Sequence, residues 1–276
     1  MRSSFTERRL DAVRFAPRSP VAGVLVSRTT YADATASIVQ AACAGVSVVA
    51  AATSVHGLTI GATDAEFGTI LNSFELVTPD GQPVRWALNL LHGAHLTDRV
   101  YGPTLLRWVC EAAAGLDLSV YFYGGRPDVL ERLATRLSTR MPGLRVAGYS
   151  SPPFRALTPA EDAREVERVR ASGAKILFVG LGCPRQERWA YEHRNQLDMP
   201  LVCVGAAFDF HAGTLRQAPA WMQGAGLEWL FRTLMEPRRL WRRYAKHIPV
   251  FLFLVARQLV TLRLMRLPWA TTTIQH

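Results

Sequence analysis

The stretch Lys175-Ile176-Leu177-Phe178-Val179-Gly180-Leu181-Gly182-Cys183-Pro184-Arg185-Gln186 runs from an apolar segment into glycines and then into polar residues. An apolar run without polar alternation reads as a strand buried on both faces. Glycines followed by a proline read as a tight turn into a helix. The same grammar recurs outward in both directions. Apolar, β-branched runs at 21–26, 46–51, 74–78 and 118–123 precede the stretch, and 201–205 follows it. Amphipathic segments at 32–44, 104–114, 128–140, 160–172 and 185–196 lie between and after them. This alternation predicts an α/β fold: a Rossmann-like, mostly parallel sheet with helices on both faces. Ligands of such sheets sit beyond the carboxyl ends of the strands. Four predicted strands end in turn-rich polar sequence, around Asp80, Gly124-Gly125, Arg185-Gln186 and Asp209, and so point to one composite site.

The chain divides by composition. Residues 1–20 are Arg-rich without an apolar stretch and read as a flexible arm rather than a signal peptide. Residues 21–226 carry the α/β pattern. Residues 227–276 read as a basic helical appendage, broken near Pro237 and Pro249, in which Trp229, Trp241 and Tyr244 alternate with arginines. That composition suits a helix lying on an anionic membrane face, where each basic group contributes ~1 kcal/mol. A core-packed helix with solvated arginines is the alternative. The longest apolar run, 248–262, contains Arg257 and falls short of the ~20 residues of a spanning helix.

The chain has 276 residues and a net charge of +10, and Lys175 and Lys246 are its only lysines. Arginine grips phosphate in a bidentate fork, so the composition favours phosphorylated or membrane partners. Cys43, Cys110, Cys183 and Cys203 are widely spaced in apolar surroundings and read as buried thiols of a reducing compartment. No motif or basic–aromatic strand face marks a nucleic-acid reader, and no G-x-G-x-x-G fingerprint marks a dinucleotide oxidoreductase. A basic nucleotide- or nucleic-acid-binding protein without transferase activity is the competing reading. Thermal stabilisation by UDP, against NAD or an oligonucleotide, separates the two.

Individual residues carry two readings each. Asp80, in a Pro-Asp-Gly turn after an apolar run, suits a plain turn residue or a general base. Gly124 and Gly125 suit a tight strand–helix turn or a close approach to phosphate. Arg185 and Gln186 open a helix from which they reach a sugar or diphosphate. His56 follows the second strand and suits a structural or a binding role.

Taken together, several segments resemble the WecG/TagA/CpsF glycosyltransferase family. They are Thr78-Pro79-Asp80-Gly81, Asp98-Arg99-Val100-Tyr101-Gly102, Tyr123-Gly124-Gly125, 182–189, 205–213 and 226–232, continued by Glu236-Pro237-Arg238-Arg239. The resemblance spans about 21–243. It implies inverting, metal-independent transfer from a UDP-sugar to a polyprenyl-diphosphate-linked saccharide, with no cofactor. It places Asp80 as the base, Arg99 and Gln186 in the donor pocket, and Arg232, Arg239 and Arg242 over the nucleotide diphosphate. Thr53, His56, Gly124, Gly125, Arg185 and Asp209 complete the candidate substrate contacts. Members that transfer N-acetylmannosamine often carry Thr-x-Asn after the second strand, whereas this chain reads Thr53-Ser54-Val55-His56-Gly57. The variant looks more like exopolysaccharide members, some of which use UDP-glucose-type or uronate donors. The implied setting is the cytoplasmic face of the membrane, with self-association left open.

Overall fold

Six parallel strands in the order β4-β3-β8-β7-β5-β6 form the central sheet of the computed structural model, which describes residues 13–265 except for the side chain of Arg239. These strands are β3 (Val49–Thr53), β4 (Leu76–Pro79), β5 (Ser119–Tyr123), β6 (Arg145–Ser150), β7 (Ile176–Val179) and β8 (Leu201–Cys203). Alternate residues feed two cores. Val49, Ala51, Tyr121, Tyr123, Leu177, Val179, Leu201 and Cys203 face one side. Ala50, Val120, Phe122, Ile176, Phe178 and Val202 face the other. Both faces are apolar because both are covered, which is why the strands read as continuous apolar runs.

One layer holds α1 (Tyr31–Ala44), α5 (Gly102–Gly115), α6 (Pro127–Arg140) and α9 (Ala207–Ala212). The other holds α2 (Val55–Thr63), α3 (Ala65–Asn72), α4 (Gln82–His92), α7 (Pro159–Ala171) and α8 (Arg185–His193). The short α10 (Ala220–Gly224) leads to α11 (Glu228–Met235) and the long α12 (Pro237–Met265). Local signals explain several boundaries. The Thr30 hydroxyl accepts from the Asp33 N–H at the start of α1, and left-handed Gly45 ends that helix. A reciprocal Thr158–Glu161 capping box starts α7.

The structure corrects several expectations. The predicted strand at 21–26 is the second half of an antiparallel hairpin, β1 (Arg18–Val21) and β2 (Val24–Ser27). Part of the expected arm is therefore ordered, while residues 1–12 lie outside the described residues. Cys43 is exposed rather than buried. The appendage does break at Pro237, but Pro249 lies inside a 29-residue helix. By length and composition Leu240–Met265 is apolar enough to cross a membrane, contrary to the reading of 248–262 alone. One side of it is nevertheless committed to the protein. Phe251 and Val255 are buried in the same core as β3 and β7, and the Gln258 amide donates to Pro20 O at 2.7 Å and accepts from the Ala22 N–H at 2.9 Å.

Candidate active site

All six strand ends of the main sheet open into one cavity of about 1030 Å³. Its floor is made by the residues after β3, β4, β5, β7 and β8, the loop after β6 adds residues 152–157, and α11 and α12 form the far wall.

Asp80 leaves β4 at this floor. Its N–H extends the ladder to Thr53 O at 3.2 Å, which holds the residue as a continuation of the strand. Its Oδ1 accepts from the Gly102 N–H, at the start of α5, at 2.9 Å. Gly102 is required there, because a Cβ would lie 2.9 Å from Val204 O. Burial raises the Asp80 carboxyl from its ordinary 3.8 to about 6, against the lowering pull of Arg99 and the Gly102 N–H. Burial has won over a nearby cation for a specific reason. Arg99 is itself buried, and its guanidinium is held 2.5 Å from Glu228 of α11 and 3.2 Å from Gln223 Oε1. The cation also stacks 4.2 Å from the Tyr101 ring centroid, so its charge is largely engaged by groups other than Asp80.

Arg232 lines the cavity with its guanidinium 5.7 Å from the Phe210 ring centroid. Asp209 lies one residue away and its carboxylate accepts from the Thr214 hydroxyl at 3.2 Å. Arg185 stands exposed at the rim, 4.9 Å over the Phe154 ring. Gln186 is buried and its amide is largely used by the protein. Its Oε1 accepts from Gly182 N–H at 3.2 Å and Gly205 N–H at 3.1 Å, and its Nε2 donates to Glu187 at 2.8 Å. It therefore ties the β7 and β8 loops together. Burial lifts the Glu187 carboxyl to about 7.

Gly125 lines the cavity, with φ of +83°. Gly124 does not line it: a Cβ there would lie 2.9 Å from the Gly180 carbonyl carbon, so its absence lets the β5 and β7 ends close together. Of its two sequence readings, the structure supports the tight turn. Thr53 is likewise buried beneath the cavity, its hydroxyl directed to Ala51 O at 3.3 Å. Arg242 points out to solvent beside Trp241, and its neighbour Arg243 faces the cavity instead. Arg239 is on α12, with its side chain outside the described residues.

His56 lines the cavity near the start of α2, edge-on to His247 of α12 with ring centroids 4.5 Å apart. His247 Nδ1 is hydrogen-bonded to the Thr59 hydroxyl at 2.6 Å. Burial pushes the His56 imidazole down to about 3, helped by Arg243, His247 and Lys246, so it is neutral at physiological pH. Sequence reasoning missed Glu228, Arg243, Tyr244, His247 and the 152–157 loop. Their roles depend on how α11 and α12 cross the sheet ends, which no local pattern states.

Among the described residues no group of three or more His, Cys, Asp or Glu side chains forms a metal site. A family model described as "Glycosyl transferase WecG/TagA/CpsF family" matches residues 19–264. Three curated proteins named N-acetylglucosaminyldiphosphoundecaprenol N-acetyl-beta-D-mannosaminyltransferase are similar. The one from Bacillus subtilis (strain 168) is 26% identical, over 71% of this chain and 73% of its own length. One from Bacillus spizizenii is 31% identical over 64% and 66%, and one from Staphylococcus aureus (strain MW2) is 28% identical over 68% and 71%.

Proposed function

Because this chain belongs to the WecG/TagA/CpsF family and is a glycosyltransferase, we propose that it moves a sugar from a UDP-sugar to a saccharide on polyprenyl diphosphate. The observation that carries this reading is the ionisable Asp80 at the floor of a cavity whose walls hold Arg99, Arg232 and Arg243. Asp80 Oδ1 is held by the Gly102 N–H, so Oδ2 is the oxygen that takes the proton from an acceptor hydroxyl. The hydroxyl oxygen attacks the anomeric carbon from the face opposite the leaving group and inverts it. The bond from that carbon to the diphosphate oxygen breaks, and its electron pair leaves with UDP. Arg232, beside Asp80, supplies the positive charge that a metal supplies elsewhere.

The named relatives transfer N-acetylmannosamine. Here Val55 lines the cavity where the resemblance sets an asparagine. An apolar side chain cannot hydrogen-bond an acetamido group, so the donor proposed is a UDP-glucose-type or uronate sugar, used at the cytoplasmic face of the membrane in surface-polysaccharide synthesis. The test is a panel of UDP-sugars with a short-chain lipid-diphosphate acceptor, read by mass spectrometry in excess EDTA. Transfer should survive EDTA. Loss restored by magnesium or manganese defeats the metal-free route, and UDP-N-acetylmannosamine as best donor defeats the assignment from Val55.

A further inference from the structure

The transfer reaction brings two diphosphates into one cavity, one on the donor and one on the acceptor. The cavity has two basic groupings, with Tyr244 between them in reach of both Arg232 and Arg243. Arg99 and Arg232 flank Asp80, as the influence of both on its carboxyl shows. The second grouping lies where α2 meets α12: His56 on α2, with Arg243 and His247 on α12, all lining the cavity. Arg243 and His247 are four residues apart in one helix and share its face.

We propose that His56, Arg243 and His247 form the subsite for the diphosphate of the lipid-linked acceptor, distinct from the donor diphosphate site beside Asp80. The inference rests on the transferase reading above and assigns the acceptor a place within it. Three observations carry it. First, among the groups acting on His56, Arg243 and Lys246 are cations and none is a carboxylate, so a dianion placed there meets positive charge. Second, His56 Nδ1 is buried with no hydrogen-bond partner, so the ring is uncommitted and can turn a donor toward an anionic oxygen. Third, the same helix continues from this grouping into apolar surface. Ile248 lines the cavity next to His247, and Leu252, one turn on and on the side of the helix that Ile248 occupies, is 60% exposed. Five residues of helix span ~8 Å, so a chain leaving the diphosphate along the Ile248 side meets apolar surface within a few bonds.

The test is calorimetric binding to the full chain, without turnover. One titrant is a short-chain prenyl diphosphate bearing no sugar, with the matching prenyl alcohol as control, and the other is UDP. Wild type should bind both diphosphates. Arg243→Gln, and separately His56→Gln with His247→Gln, should weaken the prenyl diphosphate at least ten-fold while UDP affinity stays within two-fold. Arg243→Lys should recover part of the loss, which a folding defect would not allow. The assignment is overturned by loss of UDP with the prenyl diphosphate unchanged, by equal loss of both, by no change in either, or by a wild type that binds the alcohol as well as the diphosphate. Failure of the transferase reading shows separately, as a wild type that does not bind UDP and makes no product from the donor panel.

Discussion

Asp80 is held at about 6, so at neutral pH it is ionised yet more basic than an exposed carboxylate. Asp80→Asn should cut turnover a hundred-fold or more, ~3 kcal/mol of barrier, while UDP affinity changes by no more than a few-fold. Wild-type turnover in that variant would reduce Asp80 to a turn residue. For the native enzyme kcat/KM should decline below about pH 6, as the base takes up its proton. The same burial has a stability signature. Raising this carboxyl from 3.8 to about 6 makes its ionisation in the folded chain unfavourable by about 3 kcal/mol. The folded state binds the proton more tightly than the unfolded one. The penalty is therefore absent below about pH 4, grows with rising pH, and is complete above about pH 6. Asp80→Asn should accordingly melt higher than the native protein at pH 8, with the difference vanishing toward pH 4. Asp80 and Gln186 could be singled out in the sequence because they follow strand ends, whereas Arg99, in the loop between α4 and α5, is reached only through the family resemblance. Arg243 could not be told from Arg242 there. One residue turns a helix by about 100°, so only the docking of α12 decides which of the two faces inward.

At the level of elements, the contact of α11 with the sheet turns on the buried pair Arg99–Glu228, whose side chains are 8% and 11% exposed. Removing one partner leaves the other charge buried and uncompensated, at ~3 kcal/mol or more. Glu228→Gln should lower the melting temperature and speed amide exchange in α11, and in an Arg99→Gln background the same change should matter far less. Additive losses in that double-mutant cycle would show that the two do not act as a pair. The junction before α11 is equally specific, since the Trp86 ring packs where a Cβ on Gly226 would stand, 2.5 Å away. The strands most legible from sequence were the interior ones. β5 and β7 are buried along their whole length and so read as apolar runs. β6 escaped notice because it is an edge strand with exposed residues and Gly148 in its middle. The short helices between β3 and β4 escaped it because eight or nine residues give too few turns to show a period.

For the molecule as a whole, the wall that completes the cavity also carries its most apolar exposed surface. Phe253, Val260 and Leu264 lie on one exposed stripe of α12, spaced near helical periods, with exposed Arg257 among them and exposed Arg263 beside it. The opposite side of the helix is packed against the body, so the arrangement suits lying along a bilayer rather than crossing it. Arg257→Gln with Arg263→Gln should weaken binding to anionic liposomes, the more so as salt rises, and leave turnover on a soluble acceptor nearly intact. Unchanged liposome binding would reduce α12 to a packing element. The exposed stripe has a kinetic consequence as well. An enzyme held on a bilayer meets its acceptor by lateral diffusion in two dimensions, so its rate follows the number of acceptor molecules per unit area and not per unit volume. Adding inert anionic vesicle lipid that mixes with the acceptor, at constant bulk amounts of enzyme, donor and acceptor, should slow transfer by diluting the surface, whereas a soluble acceptor under the same addition should turn over at an unchanged rate.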